Sequence, residues 1–153
     1  MGQGIAFNAE AGAAAPQVWF LPSEPASAGV LRRELRALLG SLPPAQLDDV
    51  VLTASEVIAN AVLHGAGPIT VWVWPGRHAL RVEVTDVGSG TPQLREAVDR
   101  QDGGGRGLFI VDEIADRWGV LPSELGPGKT VWFEIDSAAD PAAPPSGPTT
   151  STS

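Results

Sequence analysis

Residues 45–65, AQLDDVVLTASEVIANAVLHG, read as an amphipathic helix lying on a core. Leu47, Val50, Val51, Ala54, Val57, Ile58, Ala61 and Val62 recur at steps of three and four, which gathers them into one apolar stripe. Thr53, Glu56, Asn60 and His64 fall along another side, where the last three stand one above another. A carboxylate, a carboxamide and an imidazole therefore point into one space. Polar stripes of this kind are ordinarily solvated faces, but between Thr53 and Gly65 the only full charge is Glu56. Asn is also a mediocre helix former, so an interior Asn60 needs a reason beyond propensity. A carboxylate able to take a proton, one turn from an amide oxygen able to ligate a hard cation, suits nucleotide-phosphate chemistry.

The rest of the chain narrows the possibilities. Its 153 residues suffice for one domain with a real core. Eighteen acidic against ten basic residues give a net charge of −8, which argues against nucleic acid or an anionic membrane surface as the main partner. The absence of cysteine excludes disulfides, thiolate metal sites and cysteine nucleophiles. Neither a basic, apolar leader nor a run of about twenty apolar residues is visible, so the expected location is cytoplasmic.

Residues 1–15 are Gly- and Ala-rich, and 137–153 are Pro, Ala, Ser and Thr with little apolar bulk; both ends are expected to be disordered, leaving one domain over 16–136. Within it, 17–22 reads as a strand and 26–39 as a helix with Arg32, Arg33 and Arg36 on a basic face. Residues 69–74 and 80–86 form an antiparallel hairpin around Pro75-Gly76-Arg77-His78. Residues 107–118 read as a helix and 130–135 as a last strand after Gly126-Pro127-Gly128. This order predicts an α+β two-layer sandwich, with helices on one face of a mixed, mostly antiparallel sheet. The tryptophans Trp19, Trp72, Trp74, Trp118 and Trp132 are expected to fill core and sheet, with an exposed pair as a candidate partner or dimer surface.

Two glycine-rich stretches supply what the central helix lacks. The second hairpin strand runs out at Asp86 into DVGSG, with Asp86, Gly88 and Gly90 at every other residue. Gly103-Gly104-Gly105-Arg106-Gly107 leads straight into the apolar helix that begins at Leu108. Glycines at a helix start let backbone N–H groups approach an anion where the helix dipole favours negative charge. The pattern is neither the dinucleotide fingerprint nor a Walker A loop, since no G-K-[ST] follows the cluster.

E-x-x-x-N on a helix, D-x-G-x-G after a strand, G-x-G-L opening a helix and G-K-T before a last strand, in this order, resemble the GHKL ATPase superfamily and its Bergerat ATP-binding fold. Within it the chain is most similar to the small anti-sigma-factor serine kinases of the RsbW and SpoIIAB type. The likeness covers residues 17–136, and no motif position departs from the pattern. It implies Mg²⁺ ligation by Asn60, a general-base role for Glu56, and acceptance of the adenine amino group by Asp86. Gly88 and Gly90 would admit the ligand; Gly103, Gly105, Gly107 and Leu108 would close the phosphate site at the end of a short lid; Thr130 would lie near the adenine. Arg106 and Lys129 are candidates for phosphate pairing, or else ordinary exposed charges. His64 is as well placed to cap its helix as to touch ligand, and His78 belongs to a surface turn.

The resemblance thus implies an ATP- and Mg²⁺-dependent serine/threonine kinase acting on a STAS-domain antagonist, with a sigma factor as binding partner and a homodimer as assembly. A nucleotide-dependent binding module without kinase activity is the alternative. A histidine-kinase catalytic domain fits less well, because the first histidine is His64, inside the central helix. A motor ATPase would need a domain after the last strand to drive. The basic face of residues 26–39 could meet an acidic partner or simply be solvated.

Overall fold

Alternating β-branched and aromatic residues build five strands in the computed structural model, which describes residues 15–64, 66–88, 106–123 and 126–137. In chain order the elements are β1 (Gln17–Leu21), α1 (Ala26–Leu38), α2 (Pro44–His64), β2 (Ile69–Pro75), β3 (Ala79–Asp86), α3 (Arg106–Ile114), β4 (Arg117–Pro122) and β5 (Lys129–Asp136). The strands form one sheet in the order β1-β2-β3-β5-β4, every pair antiparallel. This is the expected α+β architecture. The expected disordered ends lie outside the described residues except for Ala15 and Ser137.

Period-two alternation decides which side of the sheet meets the helices. Ile69, Val71 and Val73 of β2, Leu80, Val82 and Val84 of β3, and Val131, Phe133 and Ile135 of β5 are all buried on one face. Register pairs Val71 with Val84, Val82 with Phe133 and Val84 with Val131, so these side chains form continuous cross-strand rows. Onto them pack Leu31 and Leu35 of α1 and Val50, Ala54, Val57 and Ile58 of α2. A fully buried side chain of this size contributes about 1.5–3 kcal/mol, so this interface fixes the helix layer. Proline at the first position of α2 suits its missing N–H. Ser27 Oγ donates to the Pro22 carbonyl at 2.6 Å and ties the start of α1 to the end of β1.

The other face carries Trp72 and Trp74, stacked with centroids 5.5 Å apart, and Trp132 beneath the Arg81 guanidinium at 4.2 Å. Arg81 is buried and donates to Glu83 Oε1 at 2.8 Å and to Glu134 Oε1 at 2.9 Å. Arg117 joins the network through Glu134 Oε2 at 2.6 Å and Asp136 Oδ1. Trp19 and Trp118 pack instead against the helix-side core. All five tryptophans are half-buried, in keeping with the expected sheet and core fillers.

The last helix is shorter than its sequence suggests. Residues 107–118 read as one helix, yet α3 ends at Ile114 and Trp118 lies in β4. Asp116 makes the break: its backbone N–H donates to the Glu134 carbonyl at 3.0 Å and its carboxylate accepts the Asp136 N–H at 2.7 Å. Strand pairing with β5 therefore captures a segment whose local pattern is helical. Trp118 Nε1 still reaches back to Asp112 Oδ1 at 2.9 Å, and Val120 packs on the core.

Candidate functional site

The apolar stripe of α2 holds the helix against the sheet and so orients its polar side. Val57, Ile58 and Ala61 are buried, while Glu56 and Asn60 between them remain half-buried. Among the described residues neither Glu56 nor Asn60 has a hydrogen-bond partner. Thr53, one turn earlier, is fully buried and bonds back to the Asp49 carbonyl at 2.7 Å, so it serves the helix itself. His64 ends the helix and is exposed.

The C-terminal end of β3 lies beside this helix and carries the second predicted group. Asp86 is 2% exposed, and both of its carboxylate oxygens are engaged. Oδ1 accepts the Gly88 N–H at 2.9 Å, and Oδ2 accepts Lys129 Nζ at 2.7 Å. The adjoining backbone is pinned as well, since the Val87 N–H donates to the Ala66 carbonyl just beyond α2. Gly128 comes closest of all: with φ at +135°, a Cβ there would sit 2.2 Å from the Asp86 carbonyl oxygen. Only glycine allows the two chain segments to approach this way.

Lys129 corrects the sequence reading. It is not an exposed charge: its side chain is 6% exposed and bound to Asp86. Adjacent strand residues face opposite sides, and register pairs Asp86 with Lys129 and Thr85 with Thr130. Lys129 accordingly lies on the helix side with Val131 and Phe133. The Thr130 hydroxyl lies on the other side, 2.7 Å from Thr85 Oγ1. Asp86 and Lys129 are thus brought together, and Asp86 and the Thr130 side chain are not. The signal was present in the sequence: Lys129 keeps step with the apolar positions 131, 133 and 135.

Leu108 is buried near the start of α3, a helix that packs on α2, and Gly107 occupies that helix's first turn. Gly90, Gly103 and Gly105 lie outside the described residues, as does the expected lid. On α1, Arg32, Arg33 and Arg36 are all exposed, and Arg36 Nη1 pairs with Asp48 Oδ1 of α2 at 3.1 Å. At such exposure that pair contributes little.

A divalent cation fits this donor set in one way only. Among the described residues no group of three His, Asp or Glu side chains could hold a metal. Mg²⁺ arriving with phosphates needs just one or two protein oxygens, which the half-buried Asn60 amide can supply. No helix among the described residues is long and apolar enough to cross a membrane.

Residues 21–135 match the histidine kinase-like ATPase domain. The chain is 34% identical over 92 residues to the sensor histidine kinase VxrA of Vibrio cholerae, a match spanning 58% of this chain and 18% of that protein. Its fold is similar to the RsbU and RsbW domains of Rv1364c from Mycobacterium tuberculosis, with a TM-score of 0.59 and 19% identity over 79% of this chain and 31% of that one. The histidine kinase domain of the blue-light activated EL346 kinase from Erythrobacter litoralis aligns at a TM-score of 0.46 and 22% identity, over 74% of this chain and 60% of that one. The chain therefore spans less than two thirds of each of these proteins. With the motif-bearing helix, the buried strand-end acid and a family match over most of its length, the chain belongs to the histidine kinase-like ATPase domain family of the GHKL superfamily.

Proposed function

We propose that this chain binds ATP beside α2 and the end of β3 and phosphorylates a serine or threonine hydroxyl on a STAS-type antagonist protein. The observation that carries the reading is the buried Asp86 carboxylate, held at a strand end beside a helix whose half-buried Glu56 and Asn60 have no hydrogen-bond partner among the described residues. Asp86 takes the base amino group, Gly88 and Gly90 admit the ligand at that turn, and Gly103, Gly105 and Gly107, with Arg106 and Leu108, serve the phosphates. Asn60 would hold Mg²⁺, which would supply charge neutralisation at the phosphates. Glu56 accepts the proton of the attacking hydroxyl as its oxygen bonds to the γ-phosphorus and the bond to the β–γ bridging oxygen breaks, releasing ADP. Such catalysis is mainly positioning and charge stabilisation.

The motif resemblance, with a fold similar to that of the RsbU and RsbW domains, favours a partner of the anti-sigma antagonist kind; a sigma factor as the second binding target and a homodimer as the assembly are proposed from the motif resemblance alone. Incubation with labelled ATP, Mg²⁺ and candidate STAS-domain proteins tests the reading. Wild type should transfer label, and Glu56→Ala and Asn60→Ala should lose it. ATP binding weakened by Asn60→Ala with no acceptor labelled would favour a nucleotide-dependent binding module instead. Absence of ATP binding would refute both.

A further inference from the structure

Lys129 is a buried cation to which the proposed chemistry assigns no task. Its side chain is 6% exposed, that of Asp86 is 2% exposed, and they meet at 2.7 Å. We propose that Lys129 is the positioning residue for Asp86, fixing the carboxylate so that its remaining lone pairs accept the amino group of the nucleotide base. This rests on reading Asp86 as the base-recognising acid.

A carboxylate offers about four acceptor sites on two oxygens. Here one site on each oxygen is filled by protein, Oδ1 by the Gly88 N–H and Oδ2 by Lys129 Nζ. Two donors on two oxygens stop rotation of the group about its own bond. The free sites therefore point in fixed directions, and a base amino group meets an acceptor that loses no freedom on binding. With Gly88 alone, Oδ2 would be unpaired at a position closed to solvent, where it would seek a partner of its own. Thr130, the residue of β5 expected near the base, cannot substitute, because its hydroxyl lies across the sheet on Thr85. Strand alternation gives the task to its neighbour. Gly128 completes the arrangement, since its close approach to the Asp86 carbonyl sets the spacing of β3 and β5 where Lys129 crosses.

The test compares ATP with purine riboside triphosphate, which lacks only the 6-amino group, by calorimetric titration of wild type, Lys129→Met and Lys129→Gln. A hydrogen bond to a charged acceptor predicts that wild type prefers ATP by roughly tenfold or more. Lys129→Met should reduce that preference to about twofold while the phosphate-derived affinity for both nucleotides persists. Lys129→Gln leaves a polar group in place but ends one atom short of Asp86, and it should lose most of the preference too. It carries the comparison if the methionine variant does not fold. A folded variant of either kind that keeps the full preference overturns the proposal and leaves Lys129 a structural ion-pair partner. A wild type that fails to distinguish the two nucleotides refutes the Asp86 reading itself, and the proposal falls with it.

Discussion

Gly126 and Gly128 provide a controlled experiment within one turn. Both have nearly the same backbone angle, φ +136° and +135°, a region that L-residues avoid. Their surroundings differ completely. A Cβ at Gly126 has nothing within 4 Å among the described residues, whereas at Gly128 it would lie 2.2 Å from the Asp86 carbonyl oxygen, 3.0 Å from Val87 Cα and 3.1 Å from the Asp86 carbonyl carbon. Gly126→Ala should cost only the conformational strain, about 1–3 kcal/mol. Gly128→Ala carries the same strain plus an overlap with backbone that no rotamer change relieves, a further 1–3 kcal/mol or so by analogy with overpacked cores. Urea denaturation measures the difference directly. With a slope of about 1.5 kcal/mol per molar for a domain of this size, a 2 kcal/mol gap lowers the midpoint by roughly 1.3 M. The displaced segment is the one that carries Asp86, so ATP affinity should fall in Gly128→Ala and stay near wild type in Gly126→Ala. Equal midpoints for the two variants would refute the claim that close approach, rather than backbone angle, requires glycine at 128.

Arg81→Met should destabilise the domain by about 2–3 kcal/mol, because Glu83 loses Arg81 and Trp132 loses its cation, while Glu134 keeps Arg117; thermal or urea unfolding checks this, and an unchanged midpoint would contradict it. Burial pushes the Glu134 carboxyl up, but hydrogen bonds from Arg117 and Arg81 outweigh it and hold the group below its ordinary value of 4.5. A lowered folded value means that the stability Glu134 contributes is complete above the unfolded value and is lost as pH falls through the folded one. Glu134→Gln should therefore flatten the stability–pH curve below about pH 4.5, and an acid limb as steep as wild type would count against the assignment. Gly119→Ala would place a Cβ 2.9–3.1 Å from the Trp132 indole, so the ring that stacks on Arg81 must shift, and tryptophan emission should change with a loss of about 1 kcal/mol.

What the sequence made legible was whatever repeats along one element. The stripe of α2 predicts which residues are buried: Val50, Val51, Ala54, Val57, Ile58 and Ala61 are, while Leu47 and Val62 at its ends are half-buried against the core. The β2–β3 hairpin follows from two β-branched runs around a Pro-Gly turn, and its strands extend from the predicted bounds by one residue each. Local patterns fail where partners distant in sequence decide. Residues 115–118 continue a helical pattern, but Asp116 meets both Glu134 and Asp136 of β5, and that pairing ends the helix. The same limit explains Lys129. A motif reading weighs G-K-T as three adjacent letters, whereas a strand sends neighbours to opposite faces, and only the register with β3 determines that Lys129 and not Thr130 crosses to Asp86. The positions of Glu56, Asn60 and Asp86 in the fold were legible because each lies on an element whose period names its face. How the acid is held depends on a residue 43 positions away in sequence, brought there by strand pairing. Substitutions at 128 and 129 therefore probe the site through the sheet, while those at 56 and 60 probe it through the helix, and the two sets should separate base recognition from phosphate chemistry.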